Sequence, residues 1–136
     1  MNGSMHAHDW TMLATLLDDF GQLLDEEQRY LAQADIGGLE ICHLRKSRRL
    51  NDIRSAVGQC RAGSSLAALM EEAPPELHAR YRRITRGLQN NLHLAQQQRA
   101  SLRVALKRGD RLPESVRRYA SRLPWSEESA AVDVLL

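Results

Sequence analysis

Apolar residues in the first third of the chain recur every three or four positions, at Trp10, Leu13, Leu17, Phe20, Leu24 and Leu31. Glu27 is the single polar interruption, and Leu16, Leu23 and Tyr30 widen one flank of the stripe. This spacing predicts an amphipathic helix of about six turns. Asp9 is expected to cap its start, because a carboxylate there accepts backbone N–H groups and suits the positive helix end. Residues 1–8 carry no such pattern and are expected to be loose.

The run Ala34-Asp35-Ile36-Gly37-Gly38 breaks this helix, and Asp35 is placed to cap a second. The two glycines then fall in its first turn, where each costs up to about 1 kcal/mol relative to alanine. The second stripe runs Ile36, Leu39, His43, Lys46, Leu50, Ile53, Val57 and Cys60, so two of its inward places are polar. With Glu27 on the first stripe and His43 and Lys46 on the second, a cross-helix ion pair is expected.

Gly58, Gly63, Ser64 and Ser65 end the second helix, and Leu66-Ala67-Ala68-Leu69-Met70 reads as a short apolar helix capped by Ser64 or Ser65. Pro74 and Pro75 mark the next start. A third long helix is expected from about Pro75 to Arg108. Its interior face holds Leu77, Tyr81, Ile84, Leu88, Leu92 or Asn91, Ala95, Leu102 and Leu106, and Gly109 stops it. About 34 residues at 1.5 Å each reach roughly 50 Å. A short helix follows Pro113 with Val116, Tyr119, Ala120 and Leu123, until Pro124 and Trp125 interrupt, and Ser126 to Leu136 is acidic and then apolar. That end is expected to be mobile or to dock on a partner. The expected organisation is a loose segment 1–8, a helical bundle 9–109, and a short helix with a mobile tail over 110–136.

Composition supports the class. The chain has 136 residues with 21 Leu, 17 Arg and 16 Ala against 12 Val, Ile and Thr together, so helix formers far outnumber β-branched residues. The expected fold is all-α, an elongated antiparallel helical hairpin or three-helix bundle with long coiled-coil-like helices. No apolar run reaches the roughly 18 to 20 residues that span a bilayer, and the N-terminus lacks the order of a signal peptide, so a cytoplasmic location without membrane insertion is expected.

The net charge of +2 hides an asymmetry: 8 acids against one Arg in residues 1–44, 18 Lys/Arg against 6 acids in 45–122, and 3 acids in 123–136. An acidic first segment and a basic middle favour antiparallel packing between them. The Arg clusters at 45–49 and 80–86 also raise nucleic-acid binding, since phosphate neutralisation supplies most non-specific affinity. Against that, the same helices must face acidic helix 1, and aromatics that stack on bases are nearly absent, so no nucleic-acid partner is expected.

Catalytic and metal chemistry find little support. His6 and His8 lack a third ligand, and Cys42 and Cys60 lie 18 positions apart on one helix, roughly 27 Å, too far to bridge. His43, His78 and His93 have no nucleophile at a suitable spacing, and the carboxylates of Asp25, Glu26 and Glu27 point to different sides of their helix. The expectation is a protein that is not an enzyme and holds neither metal nor cofactor.

The stretch LLDEEQRYLAQADIGGLEICHLRKSRRLNDI resembles the first hairpin of FlgN-type flagellar export chaperones at Leu24, Glu27, Leu31, Asp35, Leu39, Lys46, Leu50 and Ile53. Gly63-Ser64-Ser65-Leu66-Ala67-Ala68-Leu69 is similar to that family's lead into a short apolar turn, and Asn90 and Asn91 to its Asn-containing third helix. The resemblance covers roughly residues 13–106 and departs from the family pattern at Gly37-Gly38 and at the adjacent asparagines. It implies a cytoplasmic chaperone of flagellar type III export, which binds the C-terminal helices of hook-associated proteins and delivers them to the export gate and its ATPase complex. It further implies Leu92, Ala95, Leu102 and Leu106 as client-binding positions and Tyr119 as an export-gate contact. A coiled-coil adaptor that pairs with itself shares every periodic feature, so a homodimer is a further expectation.

Overall fold

The computed structural model describes residues 7–121, and all regular structure among them is helical: α1 (Ala7–Gln33), α2 (Ile36–Cys60), α3 (Leu66–Met70), α4 (Pro75–Lys107) and α5 (Glu114–Ser121). Three long helices of 27, 25 and 33 residues form the body. His6, Leu123, Pro124, Trp125, the acidic-then-apolar end and most of the segment expected to be loose lie outside the described residues. Helix α1 begins at Ala7, which places Asp9 in its first turn rather than at the cap. There its carboxylate still suits the positive helix end.

Each boundary has a local cause. Asp35 caps α2 by accepting the Gly38 N–H at 3.0 Å, and Ser65, rather than Ser64, caps α3 by accepting from Ala68 N at 3.1 Å. Gly38 is needed for a different reason: a Cβ there would stand 2.5 Å from the Tyr30 ring, so the glycine lets the tyrosine of α1 lie across the first turn of α2. α4 ends at Gly109, whose φ of +82° reverses the chain while Gly109 N and Asp110 N bond back to Leu106 O and Ala105 O.

The same hydrogen-bond pattern ends α1, with Ala34 N to Leu31 O at 3.2 Å and Asp35 N to Tyr30 O at 2.9 Å, but the left-handed position is Ala34 at φ +53°. A Cβ in this conformation costs about 1 kcal/mol. Ala34→Gly is therefore expected to stabilise the protein by about 0.5 kcal/mol, part of the relief being offset by the freer unfolded chain. A rise in the urea midpoint at unchanged slope checks this.

The three stripes meet in one core of Leu13, Leu17, Phe20 and Leu24 from α1, Leu50, Ile53 and Val57 from α2, Leu77, Ile84 and Leu88 from α4, with Leu66, Leu69 and Met70 of α3 closing one end. α1 packs closely on both α2 and α4, whereas no Cα of α2 comes within 8 Å of a Cα of α4. α1 is thus the middle layer. α3 and α5 each bridge α2 and α4, at opposite ends of the wider seam. Residue pairing shows α1 antiparallel to α2 but parallel to α4: Asp18 meets Arg80, Asp25 meets Arg83, and Leu31 O accepts from Gln98 Nε2. The charge asymmetry is satisfied in both directions, because surface ion pairs need proximity and not helix polarity.

Candidate functional site

Two features stand out: a polar cluster in the middle of the bundle, and an apolar seat covered by α5. The first follows from the three polar residues on the inward stripes. Glu27 of α1 is 3% exposed, and each of its oxygens is occupied. Oε2 accepts from Lys46 Nζ at 2.7 Å and lies 3.1 Å from His43 Nε2, both on α2, and Oε1 accepts from Asn91 Nδ2 of α4 at 2.9 Å. A carboxylate only accepts, so Nε2 carries the histidine proton. Asn91 also donates to Leu24 O at 2.8 Å, which ties α4 to the backbone of α1.

Burial by itself would raise the Glu27 carboxyl, but the hydrogen bond from His43, the charge and hydrogen bond of Lys46 and the Asn91 amide outweigh it and hold the pKa at about 2. Nearby, burial pushes the Cys42 thiol up to about 11, aided by the Glu27 charge, and its Sγ donates to Leu23 O at 3.4 Å. Both cysteines are free thiols. A carboxylate this enclosed and this fully bonded is an anchor between three helices.

The second feature lies where α4 outruns α1. Because Gln98 is level with Leu31 and α1 stops at Gln33, roughly the last two turns of α4 extend beyond it. α5 turns back along this overhang. Its Tyr119 and Ala120 are buried, and Tyr119, with the partly buried Val116, packs among Leu31, Ile36, Leu39, Ala95 and Leu102. The Arg99 guanidinium, itself 2% exposed, sits 4.9 Å over the Tyr119 ring, and Arg103 Nε donates to Ala120 O at 2.7 Å.

The residues expected to carry function are divided between these settings. Ala95 and Tyr119 are interior, so a client or export-gate contact through either requires α5 to lift. Leu92, Leu102 and Leu106 are each partly exposed along α4, while Asn91 takes the inward place that the pattern left open between it and Leu92. The stretch grouped with the tail on sequence is, through Ser121, packed on α4 and α2. Arg99 was missed. Its position between Ala95 and Leu102 at steps of four and three was the available signal, overridden by its charge.

Much of the basic surface is spent internally. Arg80 and Arg83 pair with Asp18 and Asp25 of α1 at 2.9 and 2.7 Å, Arg45 lies 3.7 Å from Glu26, and Arg49 pairs with Asp52 at 3.1 Å. A hollow of about 640 Å³ beside α1 and α2 is accordingly of mixed charge, lined by Asp19, Glu26 and Asp52 as well as Arg45, Arg48 and Arg49. Among the described residues, no group of three His, Cys, Asp or Glu is placed to hold a metal ion, and no helix is long and apolar enough to cross a membrane. No protein-family model, curated protein or solved structure matches this chain.

Proposed function

We propose that this protein is a chaperone of the FlgN type, which holds the C-terminal helices of hook-associated proteins unassembled in the cytoplasm and passes them to the flagellar export apparatus. The observation that carries the reading is the overhanging end of α4. Leu102 and Leu106 continue its inward ladder past the end of α1 and stay partly exposed, with Leu92, also partly exposed, near the middle of the helix. Such a ladder on a rigid helix is a surface against which an amphipathic helix buries its apolar face, which removes the patch that would otherwise self-associate. Neither nucleotide nor metal enters this mechanism.

Calorimetric titration with C-terminal peptides of hook-associated proteins, beside unrelated amphipathic helices, tests it. Selective binding tighter than about 1 μM, worth roughly 8 kcal/mol, with a negative heat-capacity change is the expected result. Leu106→Asp should weaken that binding at least about tenfold while changing stability by less than about 1 kcal/mol, because the side chain is only partly buried at a helix end. Equal binding of the control helices rejects the chaperone. A self-associating adaptor is the second reading, favoured by Ile41 and Leu44, exposed at 56% and 69% one helical turn apart on the outer face of α2. Sedimentation showing a dimer that Leu44→Glu dissolves supports that alternative.

A further inference from the structure

We draw no further inference here: the strongest candidate, the mixed-charge hollow beside α1 and α2, carries none, because Arg45 and Arg49 on its walls are already paired with Glu26 and Asp52 and nothing in the structure shows what covers it.

Discussion

Glu27→Leu is expected to destabilise the protein by about 3–5 kcal/mol, a large fraction of the total for a domain of this size. The cause is what the substitution leaves behind. The Lys46 ammonium is 3% exposed and pairs with Glu27 at 2.7 Å, so without the carboxylate a cation sits in the bundle with no counter-charge. His43 and Asn91 lose an acceptor at the same time. Adding Lys46→Met to Glu27→Leu should restore most of the loss, because two apolar side chains of similar volume need no desolvation compensated. Urea unfolding of the single and double variants decides it. A double variant as unstable as the single one would show that the cluster contributes through shape and not charge.

Acid is expected to remove about 3 kcal/mol through the same carboxylate. Glu27 titrates at about 2 in the folded protein against 4.5 for an ordinary glutamate. A lowered folded value means that the unfolded chain binds the proton first. The stabilisation is therefore complete above about pH 4.5 and lost as pH falls from there toward 2. Each proton taken up contributes about 1.4 kcal/mol per pH unit across that window. The double variant Glu27→Leu, Lys46→Met should show a slope shallower by about one proton between these limits. Equal slopes in the two proteins would assign the acid loss to groups other than Glu27.

The expected pairing of Glu27 with His43 and Lys46 is met because polar residues that keep the inward step of three and four must find one another when the stripes close. Asn91 as the third partner was less legible, since Asn91 and Leu92 are adjacent and either satisfies the period. The backbone carbonyl of Leu24 and the free oxygen of Glu27 select the asparagine, and both belong to another helix. Arg99 and Tyr119 were harder still. The period places Arg99 on the inward face but does not say that its guanidinium meets a ring twenty positions later, because that contact depends on α5 folding back.

The sequence by itself determined the all-α class, the three long helices, the Asp35 cap of α2, the Gly109 stop and most of the inward face of each helix. These are set by interactions within a few turns, where spacing and side-chain chemistry act directly. Only the tertiary structure decided that α1 is the middle layer, that α2 and α4 stand apart, that α5 fills the seat at the end of their seam, and that two turns of α4 reach beyond the rest. Those outcomes depend on how far apart apolar surfaces of given volume come to rest, a property of several helices packed together that no single helix carries in its period.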